Sequence, residues 1–328
     1  MDWKTQLLGG PIPAPGASVD RFDRTFSVGS DGVLRDLAVH DPAQEQTRDM
    51  FAFKWAQRVS YGSEANALAQ RAWLLERYGD LGATLGDGSI VLDAGCGAGY
   101  AADLLFRDHL RSLRYVGADI STAVDIASET LAAKAGESLF LQGDLMALPF
   151  APGSFDLVLS EGVMHHTPST REALLALARL VKPGGRFAFY VYALKAPVRE
   201  YTDDLIRSHI ANMAPEAAWA AMRSLTALGQ ALGQLDAEID IPDDVELLGI
   251  PKGKISVQRL FYYYVCKAYY RPDYSFEEMN HINFDWFTPK YCHRQTPGEV
   301  RDWCAEAGLA IESLKTELSG ITVIARKT

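Results

Sequence analysis

The run Val91-Leu92-Asp93-Ala94-Gly95-Cys96-Gly97-Ala98-Gly99-Tyr100 constrains what this chain can fold into more than any other stretch. An apolar segment enters it, glycines stand at three alternate positions, and a helical pattern leaves it over residues 101–110. That reads as strand, tight loop, helix. Glycine suits such a loop because backbone without Cβ turns sharply and lets a ligand lie against the main chain beside a helix N-terminus. The loop is therefore a candidate nucleotide site. Dinucleotide enzymes hold a pyrophosphate with a similar loop, but at a GxGxxG offset. Here the spacing is GxGxG, and Asp93 at the strand's end would repel a pyrophosphate and attract a cation.

Further strands follow at regular intervals. Arg114-Tyr115-Val116-Gly117-Ala118-Asp119 reads as the second, Leu139-Phe140-Leu141-Gln142 as the third, residues 154–160 as the fourth and residues 186–192 as the fifth. Helical patterns separate them, among them one opened by Ser169 and Glu172 and stopped by Lys182-Pro183-Gly184-Gly185. Alternation of this kind implies parallel βαβ units, whose ligands bind at the carboxyl edge of the sheet. Ser63 is expected to cap a helix running to about Tyr78. Thr296, Pro297 and Glu299 cap a last helix, followed by two strands over residues 311–316 and 320–326.

With 328 residues, 48% hydrophobic and 23% charged, the chain can bury a sizeable core. A net charge of −10 and the lack of a basic run turn the expectation from nucleic acid toward a small molecule. No apolar run approaches the roughly 20 residues of a membrane span, so no membrane association and a cytoplasmic location are expected. The four cysteines show no CxxC pairing, which argues against a metal site or disulfide framework.

With Asp119, Asp144-Leu145 and Lys182-Pro183-Gly184-Gly185 following in order, the glycine stretch resembles motif I of class I S-adenosylmethionine-dependent methyltransferases. The likeness covers roughly residues 64–192 and 297–328, and within the family it is nearest the small-molecule enzymes of the ubiquinone/menaquinone-biosynthesis type. It implies a Rossmann-like, doubly wound α/β sheet of seven strands, mostly parallel with one antiparallel strand near the edge. It also implies S-adenosylmethionine as cofactor, lying along Gly95, Gly97 and Gly99. Asp93 would face its ammonium, Asp119 its ribose, and Asp144 and Leu145 its adenine, with Ile120 and, at the end of the fourth strand, Ser160 also among the cofactor-binding residues. The implied reaction is in-line methyl transfer to an oxygen, nitrogen, sulfur or carbon nucleophile. Two rival readings stand beside it: an NAD-dependent oxidoreductase, and a non-catalytic protein that binds the cofactor without turnover.

Residues 193–296 exceed what a minimal fold of this type needs after its fifth strand. We expect an N-terminal arm and cap segment over 1–62, a cofactor-binding core over 63–192, a helical and aromatic substrate cap over 193–296, and a core-completing segment over 297–328. Residues 1–30, rich in Pro, Gly and Ser, are expected to lack regular structure. The cluster Phe51, Phe53, Lys54, Trp55, Arg58 and Tyr61 either packs the N-terminal segment or forms a flap over the cofactor. Residues 256–270 read as one aromatic helix, either a lid over the pocket or a buried structural or homodimer helix. Residues 280–294 read as a polar, aromatic loop. Histidine suits proton transfer near neutral pH. His166, just after the fourth strand, is therefore the first candidate base. His293 with Asp285 is the second pair, and Tyr291 is a candidate acceptor contact.

Overall fold

The computed structural model describes residues 2–21, 24–38, 40–57 and 63–328, so Arg58 and Tyr61 lie outside the described residues. The N-terminal segment departs from expectation. It forms α1 (Trp3–Leu8), β1 (Ser18–Arg21), β2 (Arg24–Val28) and β3 (Leu34–Asp36). The Asp2 carboxylate caps α1 by accepting from the amides of Lys4 and Thr5. Pro11, Pro13 and Pro15 are confined to the loop before β1, so they do not interrupt the strands. Buried Phe26, Val28 and Leu34 supply the alternation that seats β2 and β3 on the core. Two helices follow, α2 (Pro42–Ala56) and α3 (Glu64–Tyr78), the second capped by Ser63.

The core runs β4 (Ile90–Ala94), α4 (Tyr100–Leu105), β5 (Arg114–Asp119), α5 (Ala123–Leu131), β6 (Glu137–Gln142), β7 (Phe155–Glu161), α6 (Thr170–Leu180) and β8 (Val181–Tyr192). It closes with α11 (Pro297–Glu306), β11 (Leu309–Thr316) and β12 (Gly320–Lys327). Among the described residues these strands form one sheet of ten strands where seven were expected, in the order β1-β2-β3-β6-β5-β4-β7-β8-β12-β11, because the N-terminal β1 to β3 add an antiparallel extension at the β6 edge. From β3 to β8 all neighbours are parallel, and β12 is antiparallel to both β8 and β11. Adjacent residues of a strand face opposite layers. Leu92 and Val116 pack with α1, α6 and α11 on one face, while Val91 and Tyr115 pack with α3, α4 and α5 on the other. Burial on both faces explains why these strands read as near-continuous apolar runs.

The insertion after β8 contains α7 (Pro197–Ile210), α8 (Pro215–Gln234), β9 (Glu238–Ile241), β10 (Gly253–Ser256), α9 (Val257–Tyr264) and α10 (Phe276–Phe287). Its two ends meet beside the carboxyl end of β8: Leu194 N–H donates to the Gln295 carbonyl at 2.9 Å and Gln295 N–H to the Tyr192 carbonyl at 2.8 Å. The excursion therefore starts and finishes at the ligand edge. Phe53 of α2 packs on Phe284 of α10, centroids 5.6 Å apart, and the Gln46 side chain donates to the carbonyls of Ala211 and Thr288.

Two expectations for the insertion are corrected. The aromatic helix stops at Tyr264, because the chain after Val265 runs into a groove of α8 left open by Gly229 and Gly233. A Cβ on Gly229 would stand 2.8 Å from the Ala268 carbonyl oxygen, and the Tyr270 ring covers Gly233. Residues 280–287, expected as loop, belong to α10. Ser275 and Glu278 form its capping box, and its polar side chains are buried in hydrogen bonds. Asn280 and Asn283 both engage the Thr226 hydroxyl at 2.9 Å, and Asn283 also accepts from the Tyr269 amide. A helix with polar groups on its buried faces has no amphipathic signature to read.

Candidate active site

The glycine loop emerges from β4 and is tied to the end of β5, where the Ala118 carbonyl accepts from the amides of Gly95 (2.7 Å) and Cys96 (3.0 Å). Gly95 and Gly97 have φ of 87° and 50°, and a Cβ on Gly97 would come 2.7 Å from the Trp55 indole. The loop thus passes directly beneath α2. Beside it, the Asp119 carboxylate lines a cavity of about 450 Å³. One oxygen accepts from the amide (2.8 Å) and hydroxyl (2.6 Å) of Ser121, and the other accepts from the Gly97 amide (2.8 Å). A carboxylate oxygen can take about two donors. The oxygen bonded to Gly97 therefore keeps capacity for a hydroxyl in the cavity, whereas the other is filled by Ser121. Gly95, Ile120, Asp144 and Leu145 line the same end.

Four of the expected cofactor residues sit behind this surface, Gly97 among them beneath the Trp55 indole. Asp93 is 1% exposed and accepts from the Tyr115 hydroxyl at 2.9 Å. Burial, reinforced by the charges of Asp119 and Glu161, raises its carboxyl to about 7. It stiffens the strand beneath the loop and does not line the cavity. Gly99 opens α4, where a Cβ would strike Leu131 at 2.6 Å, and the Ser160 hydroxyl donates to the Ala94 carbonyl at 3.0 Å. Both residues fix the loop's supports.

Toward the insertion the cavity is lined by His166, Tyr192, Asp285 and Trp286. The Nδ1 of His166 lies 2.7 Å from the Tyr291 carbonyl, which accepts only if that nitrogen carries the proton. Nε2 is then the lone-pair nitrogen. Burial lowers this imidazole to about 4 even with Asp285 nearby, so it is neutral at pH 7. Asp285 receives the Lys54 ammonium at 2.7 Å. Burial alone would raise its carboxyl, but the charges of Lys54, His166 and Lys267 bring it down to about 2.

The expected grouping of Asp285, Tyr291 and His293 is thereby divided. The Tyr291 hydroxyl turns away to Asp41 at 3.1 Å, and His293 Nε2 lies 3.1 Å from the Thr167 carbonyl while its amide donates to the His165 carbonyl. Neither side chain lines the cavity, because the segment after α10 is stitched to the turn carrying His165, His166 and Thr167. What Tyr291 supplies is its carbonyl. Sequence reasoning also missed Glu161, at the end of β7, which is ion-paired to Arg77 at 3.0 Å and accepts from the Tyr78 hydroxyl. The Arg77 guanidinium lies 3.4 Å from the Trp73 ring centroid and 3.6 Å from that of Tyr190. Its only sequence signal was the carboxylate at a strand's end.

With this geometry in place, the comparisons with known proteins are decisive for the domain. A family model described as methyltransferase domain matches residues 92–189, the segment that builds β4 to β8. Residues 92–189 of the chain thus form a methyltransferase domain. It is 37% identical over 118 residues to demethylmenaquinone methyltransferase of Lactococcus lactis, covering 35% of this chain and 45% of the relative. It is 31% identical over 118 residues to the probable tRNA methyltransferase 9B of Mus musculus, covering 35% of this chain and 24% of the relative. The chain thus spans less than half the length of either. Magnesium protoporphyrin IX methyltransferase from Synechocystis PCC 6803, solved with bound cofactor, aligns over 89% of this chain and 99% of its own at 15% identity and a TM-score of 0.45.

Proposed function

We propose that this protein transfers a methyl group from S-adenosylmethionine to a small-molecule acceptor held under α2, α9 and α10. The observation that carries the reading is that Asp119, Ile120 and Asp144 share one cavity with His166, Tyr192 and Asp285. A donor seated at the first group and an acceptor seated at the second need no water-filled gap between them.

The residues present fit the cofactor. The free acceptor capacity of Asp119 suits a ribose hydroxyl, and Asp144 and Leu145 offer an acceptor and an apolar edge to adenine. When bound, the cofactor supplies an electrophilic methyl group on sulfur. The chain's own contribution is alignment, exclusion of water by Trp55 and Phe51, and a proton acceptor. His166 fills that last role with Nε2, since its Nδ1 proton is committed to the Tyr291 carbonyl. A carbonyl that fixes the tautomer also fixes the ring's direction.

The charge of −10 and the partly enclosed cavity support a small acceptor over a nucleic acid. The test is a panel of small nucleophiles and transfer RNA, each incubated with methyl-labelled cofactor. Transfer to a small molecule is expected, and transfer to RNA alone overturns the reading.

A further inference from the structure

Two ammonium groups at the acceptor end of the cavity have no carboxylate within ion-pair distance among the described residues, although Lys267 feels the charge of Asp285. Lys195 follows β8, and its Nζ donates to the carbonyls of Leu318 (2.7 Å) and Ser319 (2.6 Å) in the turn between β11 and β12. Lys267, 6% exposed, follows α9, and its Nζ donates to the Ile282 carbonyl at 3.2 Å. Among the described residues neither is ion-paired, and both line the cavity. Each ammonium has three donors, so each keeps at least one for a ligand.

The neighbouring charges are already matched. Arg199 pairs with Asp203 at 2.6 Å, Asp203 also accepts from the Trp286 indole at 2.7 Å, and Asp285 is held by Lys54. Trp286 gathers the cations around one ring: Lys267 stands 4.6 Å from its centroid, and Lys195 and Arg199 stand 5.4 Å away. Tyr192 packs on the same indole at 4.4 Å and on His166 at 5.5 Å, which puts the cations next to the proton acceptor. An unpaired buried cation such as Lys267 is costly, and the part-buried Lys195 ammonium beside it adds to that cost. Burial lowers both lysines to about 7, leaving them ready to take up a proton when an anion arrives.

We propose that the acceptor is a planar aromatic or conjugated acid, its carboxylate held between Lys195 and Lys267 and its ring packed among Tyr192, Tyr262 and Trp286. The proposal rests on the methyl-transfer reading and names its substrate class.

Calorimetry tests it in two stages. S-adenosylhomocysteine is titrated first into the unmodified protein and into Lys195→Met and Lys267→Met. Hydroxybenzoates and hydroxycinnamates are then titrated beside their neutral primary amides. The acids are expected to bind at least about tenfold tighter than the amides, about 1.4 kcal/mol. Either Met variant is expected to erase that preference, with Lys267→Arg keeping part of it and S-adenosylhomocysteine affinity unchanged throughout. Equal binding of acids and amides overturns the proposal, as does failure of every probe. A tenfold loss of S-adenosylhomocysteine affinity in the Met variants overturns it too, by assigning the lysines to the cofactor's own carboxylate. If the unmodified protein fails to bind S-adenosylhomocysteine, the methyltransferase reading falls instead, and the acid-over-amide preference still reports on the lysines.

Discussion

Removing the Lys54 ammonium isolates the contact that joins α2 to α10 over the cavity. Lys54→Met keeps an aliphatic side chain of similar length while deleting the charge 2.7 Å from Asp285 and 4.4 Å from the Trp55 ring centroid. The Asp285 carboxyl is brought from 3.8 to about 2 against its own burial, by Lys54 first and then by His166 and Lys267, and this net shift sets only the order of magnitude for the pair. At 1.36 kcal/mol per factor of ten this corresponds to about 2 kcal/mol, below the 3–5 kcal/mol typical of breaking a fully buried pair. The side chains are 11% and 23% exposed, consistent with a value between surface and core. Because the folded carboxyl lies below its unfolded value, the contribution is complete above about 3.8 and lost as pH falls through about 2. Urea denaturation of the wild type, Lys54→Met, Asp285→Asn and the double variant reads the coupling directly. A coupling of about 2 kcal/mol at pH 7, falling to roughly half at pH 3, is expected. A coupling under about 0.5 kcal/mol, or one that does not change with pH, refutes the reasoning.

Asp119→Asn should weaken S-adenosylhomocysteine binding at least about tenfold by calorimetry, since a charge-assisted hydrogen bond is worth about 1.5–3 kcal/mol; unchanged affinity would remove Asp119 from the ribose. Gly97→Ala should destabilise the fold by about 1–3 kcal/mol in denaturation, and Trp55→Ala in the same chain should recover part of that loss, because the clash is with the indole; additive losses would refute the contact. With any acceptor that turns over, His166→Ala should lower the methyl-transfer rate by about a hundredfold. The wild-type rate should show no histidine inflection near 6.5, because this imidazole titrates at about 4.

The sheet from β4 to β12 was legible because strands buried on both faces announce themselves as apolar runs, and because glycine at positive φ has few substitutes. Gly95, Asp119 and Asp144, read in that order from the sequence, line one cavity. Sequence could not reveal that Asp93 and Ser160 point into the protein, since a carboxylate at a strand's end can face the ligand or the sheet. The acceptor end was less legible for a different reason. Lys54, Lys195, Lys267 and Asp285 lie on four separate segments, and only the return of the chain at Gln295 to the end of β8 closes the insertion over them. Tyr291 was read as a side chain, but its carbonyl is what orients His166, and a backbone contribution carries no residue signature. The N-terminal strands were hidden by prolines that occupy only the loop between α1 and β1.

A crystal structure with S-adenosylhomocysteine tests the central claim most directly. The ribose hydroxyls are expected on the Asp119 oxygen that also accepts from Gly97, adenine between Ile120 and Leu145, and the sulfur turned toward His166 and Tyr192. A ligand bound elsewhere, or one whose sulfur faces away from His166 with α2 displaced from Gly97, contradicts it.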